Sequence, residues 1–239
     1  LEIFKIISYM TIEQFNILNN HIGYGNPEAE IVFMGLEEGC QENNLEDNYH
    51  YRFNNQNSLN ELSEYHLNSP LDDMNQWFIE PRLQSTWGQY CKIMLLREGA
   101  TFDDANNRNN KLDYQLNHLG TNMGNSLLLE LLPLPRIRHN FWSPFLDTEG
   151  LYEEINNYYN CDQLLTRITH IRDLLIQQTN RKVIIHGKTK HERVRELFTS
   201  IEDSLIFVTD HILDGHRVAS EYYLESNNGV RFYFTPFFG

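Results

Sequence analysis

Two adjacent acids, Glu37 and Glu38 in "GLEEG", close the apolar run of "EIVFM" at Glu30 to Met34. Side by side their charges repel, and partial burial of either would be costly. Such a pair is either a solvated strand end or a reactive one. A carboxylate at a strand end can orient a water and stabilise positive charge on a sugar ring as a glycosidic bond breaks, and Glu37 fits that role. The flanking Gly35 and Gly39 would let backbone approach a ligand, and free N–H groups there would hold a leaving group or a phosphate. Three further clusters follow apolar runs: "ELLPLPR" from Glu130 to Arg136, "HGKTK" from His186 to Lys190, and "TPFFG" from Thr235 to Gly239. His186, Lys188 and Lys190 suit phosphate binding, helped by the N–H donors of a helix opening at Thr189. The plainer alternative is a structural histidine with two solvated lysines.

To bring these clusters together the chain needs strands that end at a common edge. "EIVFMG", Ser126 to Leu131 in "NSLLLELLPLPR", and "KVIIHG" read as buried strands. "LIFVTD" is a fourth candidate, and "RVASEYYLE", "SNNG" and "VRFYFTP" read as a hairpin. Between them, "MTIEQFNILNNHIG" carries a capping box, Thr11 with Gln14, and a helical apolar face of Ile12, Phe15, Leu18 and Ile22. Gln84 to Arg97 suits a helix, whereas "DDANNRNNKLD" reads as an exposed loop. "DQLLTRITHIRDLLIQQ" is strongly amphipathic, with Leu164, Leu165, Ile168, Ile171 and Leu175 on one face. Thr189 with Glu192 is a second capping box. Residues 41–75, rich in Asn, Asp, Glu and Tyr without periodicity, read as a polar insertion. The expected fold is therefore α/β: a three-layer α/β/α sandwich with a central, mainly parallel four-stranded sheet, forming one domain over residues 1–239. Ligands of such sheets collect beyond the carboxyl ends of the strands, where all four clusters would converge.

Composition narrows the partners. With 19 basic and 33 acidic residues the net charge is -14, so any contact with nucleic acid needs a locally basic surface, for which Arg136, Arg138, Arg181 to Arg195, Arg217 and Arg231 are the candidates. No apolar run is long enough to cross a bilayer and the start carries no signal-peptide pattern, so a soluble, cytoplasmic protein without a membrane partner is expected. The chain opens on Leu1 without an initiator Met, as a trimmed sequence would. Cys40, Cys91 and Cys161, widely separated, are read as free thiols, with no metal or other cofactor. "HGKTK" ends like a P-loop, but Lys182 stands where its first glycine belongs. "GYGNPE" lacks the third glycine of a dinucleotide loop and precedes its strand.

The order "NPEAEIVFMGLEEG", "SLLLELLPLPR", "KVIIHGKTKHERVRELF" and "TPFF" resembles the uracil-DNA glycosylase superfamily, in outline over residues 23–239. The resemblance implies that Glu37 serves the water or the sugar cation, and that Gly35, Leu36, Gly39 and Glu130 border the base. Glu130 stands in "LLLE" where the family commonly has a base-reading Asn. An ionised Glu only accepts hydrogen bonds, which suits an exocyclic amine and points away from uracil. Glu38 replaces the family's usual Pro and is read as a second catalytic acid, a sugar-binding group or a surface residue. The late His-Pro-Ser motif is reduced to Thr235, Pro236 and Phe237. The members it looks most similar to are anti-phage glycosylases that remove modified cytosines such as glucosylated hydroxymethylcytosine. For that substrate Tyr49, Tyr51, Phe53 and Tyr65 would line a wide pocket, with Phe53 or Tyr51 stacking on a flipped base. Arg136, His186, Lys188, Lys190, Thr235 and Pro236 would hold the DNA.

The resemblance thus implies a monofunctional DNA glycosylase that leaves an abasic site in DNA carrying modified bases, without a metal or organic cofactor. Two alternatives stand beside it: a non-catalytic nucleic-acid or protein-binding module on the same fold, and a hydrolase of free nucleosides.

Overall fold

The structure, a computed structural model, describes residues 11–36, 38–41, 44–133, 162–186, 188–214, 216–225 and 229–235. Helix α1 (Ile12–Asn20) opens through the expected capping box: the Thr11 hydroxyl accepts from the Gln14 N–H, and the Gln14 side chain accepts from the Thr11 N–H. Phe15, Leu18 and Ile22 are buried on its inner side, and the chain turns into β1 (Gly23–Gly25). This tripeptide pairs antiparallel with β4 (Ser126–Glu130). The approach is so close that a Cβ on Gly23 would overlap the Leu128 carbonyl.

β2 (Ile31–Gly35) is buried throughout and lies between β4 and β5 (Lys182–His186), parallel to both; β8 (Arg231–Thr235) pairs parallel with β5. With β3 (Leu59–Asn60), β6 (Leu205–Leu213) and β7 (His216–Leu224) the sheet has eight strands in the order β3-β1-β4-β2-β5-β8-β7-β6. It is mixed, because β1 runs antiparallel to β4, β7 to β8 and β6 to β7. The expectation of a mainly parallel four-stranded sheet is corrected accordingly. "LIFVTD" begins β6, which pairs with β7 at the far edge. Only Asp214 and Gly215 join these two strands in sequence, too short a link for the crossover that parallel pairing needs.

Helices cover both faces of the sheet. Val32 and Met34 point to one face, packed with α1, α8 (Asp162–Ile176) and α9 (Lys188–Thr199). Ile31 and Phe33 point to the other, packed with α3 (Leu62–Leu67), α4 (Asp72–Ile79), α5 (Ser85–Arg97) and α7 (Arg108–Asn117). This alternation is the two-residue period of a strand buried on both sides.

Four expectations change in the helices. The polar insertion is largely ordered as α2 (Leu45–Asn54), β3, α3 and the start of α4. The Asn-rich stretch forms α6 (Phe102–Asn106) and α7, because Thr101 and Asn107 act as N-caps, accepting from the N–H groups of Asp104 and Asn109. On α8 Leu165 is partly exposed and Arg167 is buried instead, its guanidinium donating to the carbonyls of Leu131, Asn19, His21 and Glu130. Helix α9 starts at Lys188, so Thr189 lies inside the first turn rather than capping it. Cys40 and Cys91 are free, and Cys161 lies outside the described residues. Among the described residues no helix is long and apolar enough to cross a membrane.

Candidate active site

From β2 the chain passes to β4 on one side of it and then to β5 on the other, so the order of the parallel strands reverses at β2. A crevice opens beyond the carboxyl ends of strands at such a reversal. There the structure has a cavity of about 340 Å³, within the range of about 300–1,000 Å³ usual for small-ligand sites. Gly35 and Glu130, the last residues of β2 and β4, are register partners, and His186 ends β5 alongside. All three line the cavity, together with Glu38 and Gly39. A Cβ on Gly35 would overlap the Glu130 carboxylate, so glycine is what lets that side chain lie across the end of β2.

Much of the lining is aromatic. Phe33 stacks on Tyr90 of α5 with ring centroids 4.1 Å apart, and Trp77 of α4, Trp87 of α5 and His66 of α3 join them. The Tyr90 hydroxyl lies 3.1 Å from His186 Nδ1. Asn48, Asp73, Met74, Gln84 and Thr86 supply further lining. Asp73 accepts from the Gln41 N–H at 3.0 Å. Neither lysine nor arginine lines the cavity among the described residues.

Glu38 is gripped from two sides. The Tyr24 hydroxyl donates to Oε1 at 2.5 Å and the Arg52 guanidinium donates to Oε2. Burial acts to raise the carboxyl's pKa, but the charge of Arg52, with His66, the Tyr24 hydroxyl and His21, holds it below the usual carboxylate range. Burial likewise lowers His21 to about 3, so its imidazole is neutral at ordinary pH, and it lowers His66. The His66 ring holds its Nδ1 2.8 Å from the Leu62 carbonyl. Burial raises Tyr24 and Tyr90, so both hydroxyls stay protonated.

The candidates read from sequence thus separate. Gly35, Glu38, Gly39, Glu130 and His186 meet at one cavity. Leu36 does not join them; it packs into the core on the opposite face, and Phe53 packs against that same core with an edge-on contact to His50. The choice of Phe53 as a base-stacking residue is therefore corrected: α2 turns it away, and Phe33, Tyr90, Trp77 and Trp87 provide the aromatic surface. Tyr49, Tyr51 and Tyr65 also pack into the two cores instead of lining the cavity. Thr235 ends β8 as the register partner of His186, its hydroxyl 3.3 Å from the Ile185 carbonyl, outside the lining. Lys188 and Lys190 fall in the first turn of α9, with side chains outside the description. Glu37, Arg136 and Pro236 lie outside the described residues.

Residues missed from sequence had faint signals. Phe33 could have been found by alternation, since it must face away from Val32 and Met34. Trp87 and Tyr90 are three apart on α5 and so share a face. Asn48 and Arg52 are a helical i,i+4 pair, but nothing local says that Arg52 is buried. Among the described residues no cluster of His, Cys, Asp and Glu is arranged to hold a metal ion.

In comparisons with known proteins, no family model, no curated protein and no solved structure matches the chain.

Proposed function

We propose that this chain is a monofunctional DNA glycosylase that hydrolyses the N-glycosidic bond of a modified, amino-bearing base, a cytosine derivative such as glucosylated hydroxymethylcytosine, and leaves an abasic site. The observation that carries the proposal is the cavity at the strand reversal, where Glu38, Glu130 and an aromatic wall face one small-ligand volume. A flipped base needs stacking surface to replace what it loses in the duplex, and the half-buried Trp77 and Trp87, beside the buried Phe33–Tyr90 pair, offer it. Glu130 accepts a hydrogen bond from the exocyclic amine of such a base. As the C1′–N bond breaks, its electron pair leaves with the base and positive charge grows on the sugar. Glu38 is placed to oppose that charge, because its interaction is stronger in the transition state than in the ground state. Glu37, the adjacent acid in sequence, orients the water that adds to C1′. The water's proton balances the charge on the departing base, so the products are free base and an abasic sugar. A lining without lysine or arginine suits the base and its sugar, and leaves the phosphates to groups outside the cavity.

One observation favours a second reading. A net charge of -14 opposes a polyanion but not a neutral nucleoside, so a hydrolase of free nucleosides fits the same cavity. Both readings are tested by incubating the protein with duplex and single-stranded DNA containing cytosine, uracil, hydroxymethylcytosine or its glucoside, and with the matching nucleosides, while measuring released base and abasic sites. The glycosylase reading predicts base release from modified DNA, abolished by Glu37→Ala and slowed by Glu38→Gln. Release from nucleosides alone supports the second reading, and no release from any substrate overturns both.

A further inference from the structure

Glu38 is fixed by a device that the chemistry above does not itself require. Arg52 Nε donates to Asn48 Oδ1 at 2.8 Å, one helical turn earlier on α2, while its Nη2 binds Glu38. Arg52 is only 3% exposed and Asn48 only 2%. Glu38 lines the cavity, whereas Arg52 is not among the lining residues. Burying a cation in this way is costly unless its partners are held in good geometry.

Resting on the glycosylase reading, we propose that Arg52, braced by Asn48, is a positioning residue that fixes Glu38 as a stationary anion beside the sugar, leaving proton transfer to another group. A carboxylate held this firmly as an anion is a poor base, because it gives little driving force for taking a proton from water. It is well suited to opposing a cation, since its position and charge need no reorganisation as the bond breaks. Arg52 is the largest of the influences that lower Glu38, and Asp73 of α4 lines the same cavity. Around Glu38 and Arg52 stand His21, Tyr24, Cys40, Tyr65, His66 and Glu130. Burial lowers His21 to about 3 and lowers His66, raises Cys40 to about 12, and raises Tyr24 and Tyr65. Glu130, the remaining acid among them, acts on Arg52 from the end of β4. Removing the guanidinium would leave burial as the dominant influence on Glu38, and burial favours the protonated, uncharged form.

The test is the pH profile of single-turnover base release from modified DNA for the wild type, Arg52→Gln, Arg52→Lys and Glu38→Gln. The proposal predicts a wild type with no loss of rate traceable to Glu38 between about pH 5 and 8. Arg52→Gln should be slow at the acid end and recover at least about tenfold as the pH rises and Glu38 ionises. Arg52→Lys should keep the wild-type shape, and Glu38→Gln should be slow at every pH. An Arg52→Gln rate lowered by one constant factor across the range would mark a merely structural role and overturn the proposal, as would a Glu38→Gln variant with the wild-type rate. A second readout needs no activity: carbon NMR of labelled glutamate carboxyls, with the Glu38 resonance assigned by its absence in Glu38→Gln. Glu38 titrating below the ordinary range in the wild type and above it in Arg52→Gln supports the positioning role even if no DNA is cleaved, in which case the glycosylase reading alone fails. Ordinary titration of Glu38 in both proteins overturns the positioning role whatever the activity.

Discussion

Two glutamates flank β2, and both are held below the usual carboxylate range, yet by opposite means. Glu30, at the amino end, bonds to Lys182 and Arg97 and is 40% exposed. Glu38, beyond the carboxyl end, is 18% exposed and bonds to Arg52 and Tyr24. At Glu30 water shares the work and salt screens it, so the pair adds little stability. At Glu38 little water remains, and removing one partner strands the other. The buried arginines repeat the contrast. Arg181, near the amino end, donates only to carbonyls among the described residues, those of Pro27, Ala29, Leu174 and Leu175, and burial lowers it to about 10. Neutral partners let an arginine fasten backbone, whereas a carboxylate partner lets Arg52 fix a charge at a cavity. Burial together with a titratable partner is what makes the carboxyl end of β2, rather than its amino end, the candidate for a functional site.

The largest effect that would break this comparison is expected at Arg52. Arg52→Met should cost about 3–5 kcal/mol in urea unfolding at neutral pH, because Glu38 is left buried and uncompensated. The double variant with Glu38→Gln should recover part of that loss, and equal, additive losses would contradict the coupling. Next, Glu38→Gln should slow base release by about 10²–10³-fold while unfolding stays cooperative. Third, Gly35→Ala should push the Glu130 carboxylate aside, costing about 1–3 kcal/mol of discrimination between amino-bearing and uracil bases, read as a ratio of release rates. The smallest change belongs to Glu30: Glu30→Gln should cost about 0.5–1 kcal/mol and nothing measurable in 1 M salt.

The pH dependence of stability sharpens the same contrast. A carboxyl lowered by folding contributes stability that is present above its unfolded value, about 4.3, and lost as pH falls through the folded value. Both glutamates should therefore contribute fully at neutral pH and lose their contributions only in acid. Acid unfolding at high salt should leave the Glu38 share and remove that of Glu30. A Glu38 contribution that disappears in salt would show a solvated pair.

Much of this frame was legible in the residues. The unbroken apolar centres of β2, β4 and β5, each closed by a polar or glycine residue, marked the strands and their shared edge. The Thr11–Gln14 box marked where α1 begins. Short-range pattern failed where a partner supplied the order. β1 has two glycines in three residues and no period to read, and forms because β4 and β3 lie on either side of it. α6 and α7 hide in an Asn-rich string because two of its polar residues are caps, not loop formers. At the site, Glu130 and Gly35 could be named from strand ends, but the burial of Arg52 depends on a carboxylate 14 residues earlier. Phe53 was the natural aromatic choice by sequence proximity, and the rotation of α2 turned it to the other face.

The central claim, that the cavity at the strand reversal takes an amino-bearing base, is tested most directly by a crystal structure of the protein soaked with free hydroxymethylcytosine, beside a parallel soak with uracil. The account predicts hydroxymethylcytosine against the Phe33–Tyr90 wall with its exocyclic amine within hydrogen-bonding distance of Glu130, and no uracil in that place. Uracil bound there equally well, or hydroxymethylcytosine bound only elsewhere, would contradict it.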